Sequence, residues 1–223
     1  MNLTKRTTIA STLLMLILTI PHMSGCIVGA AIGGMAESYQ RTGSTTVEAE
    51  YLGMEGHSFT VVATADRVIE GNNPGIAARI TQRVNDRLIQ NSGATFAIPS
   101  TDLLTVLYNT PQWPAMPRGE VADMLGVERL IVVEIIEYRL NEPGNKYIWD
   151  GSASCMVSVF ESDSPFPDDP VYEKAIRVEF PDTSGLMRTE IPEAAVNTEL
   201  SNRLINRIAW LFYTHDEPNT IPY

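Results

Sequence analysis

The sequence predicts an α/β fold, namely a single domain whose mixed, mostly antiparallel sheet is packed with helices. Segments in which apolar residues alternate, as in strands, are interleaved with segments of helical period, an order typical of α/β proteins. The composition agrees, because 44% hydrophobic and 19% charged residues are close to the averages of globular domains. A chain of 223 residues can also bury a sizeable core without disulfides or a structural metal.

The first half of the chain alternates strands with helices. The folded domain is expected to begin near Val47, and the alternation over residues 59–65 predicts a strand. The turn at residues 72–75 starts a helix with apolar residues at four-residue spacing. The next elements are a short strand at residues 95–98, a helix capped by Ser100 or Thr101, a proline-rich loop at residues 110–117 and a short helix ending at Gly126.

The second half predicts three strands and a closing helix. Residues 130–136 are apolar on both faces at first, as in a central strand. In the strand that follows, the alternation places Cys155 on the core side. A third strand at residues 172–180 and a helix after Pro192 complete the order β-β-α-β-α-α-β-β-β-α. Short turns join the late strands, so these strands should form antiparallel hairpins.

The charge and the composition exclude several classes of function. The formal net charge is −11, from 16 Lys and Arg against 27 Asp and Glu. Polyphosphate would repel such a chain, so no nucleic-acid partner is expected. Two cysteines and three histidines provide little material for a zinc cluster. No pattern indicates a cofactor, and we predict none; no small-molecule substrate is identified.

The N-terminus resembles that of a bacterial lipoprotein precursor. Lys5 and Arg6 precede an apolar run at residues 8–20, which is too short to cross ~30 Å of hydrocarbon as a helix. The run leads to Met23-Ser24-Gly25-Cys26. This sequence resembles a lipobox, in which an apolar residue and two small residues precede the cysteine that takes a diacylglyceryl group. The alternatives are an ordinary signal peptide with an incidental Cys26, and an uncleaved anchor.

Lipidation at Cys26 implies a location and a domain organisation. Several acyl chains provide stable membrane attachment. By analogy with lipoprotein sorting, Ile27 in place of Asp after the cysteine favours the periplasmic face of the outer membrane, with the inner membrane and the cell surface left open. The predicted organisation is a signal peptide at residues 1–25, the lipidated cysteine and a flexible tether at 26–46, an α/β periplasmic domain at 47–215 and a C-terminal tail at 216–223.

The sequence contains no metalloprotease, nucleophile-elbow or phosphate-loop motif, and we predict no enzymatic activity. His57 and His215 are expected at the surface, and Cys155 is expected to be an inert core thiol. Asp66 at a strand end and Asp102 at a helix start can meet at one sheet edge. Turn and capping roles explain both carboxylates more simply.

The loop at residues 161–170 is acidic. Its carboxylates offer the oxygen ligands that Ca²⁺ prefers, but the loop lacks the glycine and the regular spacing of a calcium-binding loop. Two prolines also stiffen it. We interpret the loop as a solvated hairpin end and predict no metal site.

Two surface features are candidate partner-binding sites. Arg79, Arg83 and Arg87 recur every four residues and form a basic stripe on a predicted helix, which suits anionic headgroups or an acidic partner. Trp113 lies between prolines in a long loop, where a rigid aromatic ring can anchor a protein interface. The alternatives are a solvated helix flank with Asp86 nearby, and a tryptophan folded over the domain's own core.

The order of these elements resembles a family of envelope lipoproteins related to the curli-secretion lipoprotein and to the lipoprotein activators of penicillin-binding proteins. The resemblance covers roughly residues 50–213, and it implies a small α/β sandwich with a binding or assembly role and no catalysis. It rests on the lipobox, the strand at residues 59–63, the helix at 76–90, the strand at 95–98, the helix-to-strand phrase at 121–132 and the hairpin end at 157–160.

We therefore predict a lipid-anchored periplasmic interaction module that supports an envelope assembly or transport complex, without catalysis. Its expected partners are the membrane, through the lipid anchor, and an envelope protein or further copies of itself. The alternative is an oligomeric curli-type secretion-channel subunit in the outer membrane. That alternative rests on the resemblance alone, because the chain shows no spare pair of long alternating strands beyond those that the domain uses.

Overall fold

The computed structural model describes residues 43–183 and 185–219. Residues 46–215 belong to the larger of two units, and residues 43–45 with 216–219 belong to the smaller one. The strands are β1 (Ser44–Val47), β2 (Ser58–Ala65), β3 (Phe96–Ala97), β4 (Arg129–Arg139), β5 (Gly151–Glu161), β6 (Tyr172–Phe180) and β7 (His215–Pro218). The helices are α1 (Arg67–Asn72), α2 (Ile76–Asn91), α3 (Ser100–Asn109), α4 (Arg118–Leu125) and α5 (Glu193–Trp210), with a 3-10 turn at Trp113–Ala115.

The larger unit contains a five-stranded sheet in the order β3-β2-β4-β5-β6. β2 is parallel to both β3 and β4, whereas β4, β5 and β6 form two antiparallel hairpins. Parallel neighbours need crossover connections, which α2 and the α3–α4 pair supply on opposite faces of the sheet. Most of the paired residues of the sheet lie in these antiparallel hairpins. The prediction of a mixed, mostly antiparallel sheet packed with helices is therefore confirmed.

One face of the sheet is covered by α2 and α5. α2 buries a stripe at four-residue spacing, because 3.6 residues per turn return every fourth side chain to nearly the same face. The strands beneath it alternate inward and outward side chains, as half-buried strands do. The core on this face includes Ile76, Ile80, Val84 and Leu88 of α2, Phe59 and Val61 of β2, Cys155 and Val157 of β5, and Leu200 and Leu204 of α5.

The opposite face of the sheet is covered by α3 and α4. α4 ends at Gly126, whose φ of 66° is left-handed and is accessible to glycine without strain. The chain then passes directly into β4, as the predicted helix-to-strand phrase requires. This second core includes Val62, Leu130, Val132 and Phe160 of the sheet and Leu103, Leu107, Val121 and Leu125 of the two helices.

Two side chains of α2 replace a missing strand neighbour of β2. β3 pairs only with the first two residues of β2, so the rest of β2 has no strand on that side. The Val61 N–H donates to Asn85 Oδ1 at 2.9 Å, and Asn85 Nδ2 donates to the Val61 carbonyl at 2.9 Å. The Ala63 N–H donates to Thr81 Oγ1 at 2.9 Å. Because buried backbone groups need partners, these bonds let the pairing with β3 end early.

The structure differs from the predicted elements around β2 and β3. It contains the short helix α1, which the sequence analysis did not predict, since six residues are too few to show a helical period. Asp66 caps this helix by accepting a hydrogen bond from the Ile69 N–H at 2.7 Å. The strand predicted at residues 95–98 is reduced to Phe96–Ala97.

The smaller unit contains most of a two-stranded sheet formed by β1 and β7. Thr45 Oγ1 donates to Asn219 Oδ1 at 2.8 Å, and the Asn219 N–H donates to the Gly43 carbonyl at 3.0 Å. Residues 44–46 were predicted to belong to the tether and residues 216–218 to the C-terminal tail, whereas the structure places them in paired strands. The two strands are short and polar, and the hydrogen-bonded residues Thr45 and Asn219 lie 174 positions apart in the chain. The spacing of residues within either segment therefore does not predict this pairing.

Candidate functional site

The stripe of Arg79, Arg83 and Arg87 lies along α2, and each arginine precedes a buried residue of the apolar stripe. Arg83 is exposed, and the other two are half-buried. Within the described ranges, none of the three forms an ion pair. α2 thus carries three arginines against the single carboxylate of Asp86, in a chain whose net charge is −11. Partner binding by this stripe stays a prediction.

Trp113 lies in the 3-10 turn that follows α3. Its side chain is half-buried and packs against the second core, together with Ile98 and Met116. The ring therefore covers part of the domain's own core, as the alternative interpretation expected. Its use as an anchor for a protein partner stays a prediction.

The chain enters the larger unit at the amino end of β4. The Tyr51 hydroxyl donates to Glu161 Oε1 at 2.6 Å, and Glu161 is paired in register with Arg129, the first residue of β4. The backbone N–H groups of Glu50 and Tyr51 both donate to the Leu211 carbonyl at 2.9 Å. Leu211 directly follows α5, so the incoming chain is attached where that helix ends.

Three aromatic side chains lie close together at the same end of α5. The Trp210 and His215 rings stack, with centroids 4.4 Å apart and 7° between their planes. Tyr213 meets His215 edge-on, with centroids 6.2 Å apart. Burial raises the pKa of Tyr213, and Arg87 is near enough to oppose that shift. The aromatic side chains therefore adjoin one end of the arginine stripe.

A polar cleft of about 300 Å³ opens outside the carboxyl end of β4. It is formed by the end of α1, the end of β4 with the turn after it, the loop between β6 and α5, and the start of α5. Ligands of α/β proteins commonly bind outside the carboxyl ends of parallel strands. The cleft lies at the end of the sheet opposite to the incoming chain. Its polar lining residues are Asn72, Asn73, Arg139, Asn141, Arg188 and Glu193.

The charged groups of the cleft are already paired. Arg188 Nη2 donates to Glu193 Oε2 at 3.0 Å, and the guanidinium lies 4.2 Å from the centroid of the Trp149 ring. Arg139 Nε donates to Glu137 Oε1 at 2.7 Å, which holds the pKa of that carboxyl below its ordinary value. The asparagine amides add both donors and acceptors. The cleft therefore suits a neutral polar ligand, such as sugar hydroxyl groups or peptide amides.

Sequence reasoning did not predict this cleft. The asparagines at residues 72–73 and 141 were interpreted as turn residues, for which asparagine is a common choice. The other lining residues come from segments far apart in the chain and share no spacing. The accumulation of asparagine at two turns was the only signal, and it does not distinguish a binding site from ordinary turns.

Cys155 lies in the core and is 1% exposed, as the alternation of its strand predicted. Burial raises the pKa of its thiol to about 12. Very little thiolate forms at neutral pH under these conditions, so the thiol is a poor nucleophile.

The other residues considered for chemistry have local partners. Nδ1 of His57 and of His215 lies 2.9 and 3.1 Å, respectively, from the carbonyl oxygen two residues earlier. Asp66 caps α1, and Asp102 lies in the first turn of α3, where a carboxylate is favoured by the helix dipole. Both aspartates thus serve helix starts.

The acidic loop at residues 161–170 is attached to the domain by its carboxylates. Arg129 Nη1 donates to Asp163 Oδ1 at 2.6 Å and holds the pKa of Asp163 below its ordinary value. The Gly119 N–H at the start of α4 donates to Asp168 Oδ1 at 2.8 Å. Most residues of the loop are nevertheless exposed, as expected of a solvated hairpin end. In the part of the chain that the structure describes, no group of three or more His, Cys, Asp or Glu is arranged to hold a metal ion.

Cys26, the predicted signal peptide and the tether up to residue 42 lie outside the described residues. The helices within the described ranges include none that is both long and apolar enough to span a bilayer.

Comparison with known proteins finds no family model that matches the chain and no curated protein that matches its sequence. Solved structures that resemble it include lipoprotein GNA1162 from Neisseria meningitidis, with 10% identity, a TM-score of 0.45 and coverage of 68% of this chain and 97% of that one. The PelC dodecamer from Paraburkholderia phytofirmans has 8% identity, a TM-score of 0.45 and coverage of 76% and 96%. The hypothetical protein CT253 from Chlamydia trachomatis has 16% identity, a TM-score of 0.39 and coverage of 68% and 96%.

Proposed function

We propose that the chain is a lipid-anchored interaction module of the bacterial envelope, held through Cys26 on the periplasmic face of the outer membrane and without catalytic activity. The observation that carries this proposal is Met23-Ser24-Gly25-Cys26, which follows a short apolar run with basic residues before it. Small residues before the cysteine admit the signal peptidase, and the thiol takes the diacylglyceryl group. Both requirements are met at these positions.

The two ends of the larger unit support a module of this kind. The incoming chain is attached at the amino end of β4, whereas the polar cleft opens at the carboxyl end of the same strand. An anchor that reaches the domain at one end leaves the cleft accessible at the other. Its amides and paired charges suit reversible binding of a neutral polar group on an envelope partner.

Cys26→Ala is expected to abolish lipid attachment. Alanine has no thiol to acylate, so the chain should lose all incorporation of radioactive palmitate and should no longer mature to the lipidated form. The measurement is palmitate labelling of cells that express the full chain, combined with mass spectrometry of the mature N-terminus.

Cys155→Ala is the matched control, because Cys155 is the other cysteine of the chain and is buried in the core. This variant should incorporate palmitate as the unaltered chain does. Palmitate on the Cys26→Ala variant, or none on the unaltered chain, would contradict the proposed anchor.

The assembly state separates this module from the oligomeric channel subunit. We expect the protein extracted in mild detergent to be a monomer or a dimer, because both long hairpins of the larger unit are used within its own five-stranded sheet. Light scattering after size-exclusion chromatography measures the mass. A closed ring of many subunits would favour the channel subunit instead.

A further inference from the structure

The two helix layers of the larger unit differ in charge. α2 carries three arginines and one aspartate. α5 carries two arginines and two glutamates, and Glu199 is paired with Arg203 at 3.0 Å. On the other face of the sheet, α3 and α4 together carry three carboxylates and one arginine. The α2–α5 layer is therefore the basic side of a strongly acidic protein.

The arginines of α2 are available to an outside partner. The three residues are spaced by four, so their side chains follow one flank of the helix over roughly 12 Å. The chain has 27 acidic residues, yet none of those described forms an ion pair with Arg79, Arg83 or Arg87. Folding thus leaves this basic flank uncompensated, and an anionic surface is its electrostatic complement.

The arginine stripe ends, at Arg87, near the place where the incoming chain is attached. Tyr213 lies within electrostatic range of Arg87, and it is two residues past the carbonyl that binds the incoming backbone. Ahead of β1, the predicted tether spans residues 26–42, and a flexible chain of that length would reach roughly 20–25 Å. A lipid at Cys26 would therefore keep Arg87 within reach of the membrane surface.

The aromatic side chains at this end also suit a membrane surface. Trp210 and Tyr213 are half-buried, and Tyr213 lies within electrostatic range of Arg87, the last arginine of the stripe. Tryptophan and tyrosine are enriched at membrane–water interfaces, where an apolar ring and a polar tip are both satisfied. Basic and aromatic groups thus occur together at the end that the anchor holds.

We propose that the α2–α5 layer docks on the surface of an anionic bilayer, with Arg79, Arg83 and Arg87 on the lipid headgroups and the acidic α3–α4 layer turned away. This inference rests on the proposed lipid anchor at Cys26, because the tether holds the domain at a high effective concentration next to the bilayer. Each basic residue near an anionic surface strengthens binding about fivefold. The acidic layer is repelled by the same surface, so one orientation of the domain is favoured.

Energy transfer in vesicles tests which helix layer faces the bilayer. The lipidated full chain is reconstituted in phosphatidylcholine vesicles, with or without phosphatidylglycerol, that carry an acceptor dye on their headgroups. Gln82→Cys places the donor dye on α2, and Thr105→Cys places it on α3; both positions are exposed. Cys155 does not compete for the dye, because it is buried and its pKa is about 12. We expect greater transfer from position 82 than from position 105, in the vesicles with phosphatidylglycerol only.

A matched pair of double variants tests the arginines themselves. Arg83→Gln with Arg87→Gln should weaken docking about 25-fold and remove the difference between the two dye positions. Arg67→Gln with Lys146→Gln removes the same charge from exposed positions outside the stripe and should preserve the difference. A NaCl concentration of 0.5 M should also abolish the difference, because it shortens the Debye length to about 4 Å.

Three results would overturn the docking proposal. The first is equal transfer from both positions in anionic vesicles, and the second is a preference for position 82 that survives the loss of Arg83 and Arg87. The third is a preference that appears only after envelope proteins are added, which would identify an acidic protein as the occupant. Failure of the lipid anchor is recognised separately, because the chain would then leave the vesicles in a sodium carbonate wash before any transfer is measured.

Discussion

Asn85→Leu is expected to lower the free energy of unfolding by about 3–5 kcal/mol. Asn85 is 3% exposed, and its amide bonds both the N–H and the carbonyl of Val61, as well as the Thr81 carbonyl at 2.8 Å. Leucine has a similar size but leaves both backbone groups of Val61 without a partner. A buried unsatisfied group costs about 1–3 kcal/mol. Urea denaturation followed by tryptophan fluorescence measures the loss.

Two further substitutions on α2 provide the comparison for Asn85. Gln82→Leu changes an exposed amide of the same helix and should alter the free energy of unfolding by about 0.5 kcal/mol or less. Thr81→Val removes one acceptor, that of the Ala63 N–H, and should have an intermediate effect of about 1–3 kcal/mol. Our account of β2 would be wrong if Asn85→Leu were as stable as Gln82→Leu.

Arg203→Ala is expected to cost about 1.5–3 kcal/mol, because it removes charge-assisted hydrogen bonds of a buried guanidinium, whereas the Asp182 and Glu199 side chains that it leaves are 36% and 40% exposed and can be solvated. Arg203 is 4% exposed and donates to both carboxylate oxygens of Asp182, at 2.5 and 2.8 Å. It also donates to the Glu199 carboxylate and to the Glu179 carbonyl, each at 3.0 Å. These bonds join the end of β6 to α5. They thereby position the loop that carries Arg188 of the cleft, so we expect faster hydrogen exchange in that loop as well.

Arg177→Ala is the matched control, because Arg177 lies on β6, the strand that the Arg203 cluster joins to α5, but its side chain is 57% exposed. Its ion pair with Glu179 at 2.9 Å is solvated and should contribute less than about 1 kcal/mol. Similar losses from the Arg203 and Arg177 variants would show that burial does not set the strength of these pairs.

The Arg203 cluster also predicts how stability changes with pH. The hydrogen bonds from Arg203 hold the pKa of Asp182 below its ordinary value. A carboxyl whose pKa is lower in the folded state stabilises the fold fully above its unfolded pKa of ~3.9, and this contribution is lost as the pH falls through the folded value. The free energy of unfolding of Asp182→Asn should therefore fall less steeply below about pH 4 than that of the unaltered chain. Chemical denaturation at a series of pH values measures both slopes.

Periodicity explains why much of the larger unit could be predicted. The apolar stripe of α2 and the inward direction of Cys155 depend on which face of one helix or one strand a residue occupies. Spacing along the chain determines that face, at every fourth residue in a helix and every second in a strand. The arginine stripe was predicted for the same reason, since it belongs to one helix.

The cleft and the polar contacts of β2 could not be predicted in this way. Asn85 has the spacing of an ordinary buried helix position, and its importance comes from the two-residue length of β3. Arg188 and Asn73 line the same cleft from segments that share no pattern. Such groups come together only when elements distant in the chain pack against each other. The identity of a residue does not indicate which residue will lie opposite to it in the fold.

The sequence alone determined the types and order of most elements, the inward face of each long helix and strand, the position of the arginine stripe and the expected lipidation at Cys26. Each of these depends on residues close together in the chain. Only the tertiary structure decided that β1 pairs with β7, that α2 satisfies the open side of β2, that the helix layers differ in charge, and that a polar cleft lies at the end opposite to the incoming chain. These features depend on which distant segments become neighbours, and that choice is made by packing of the whole core rather than by local spacing.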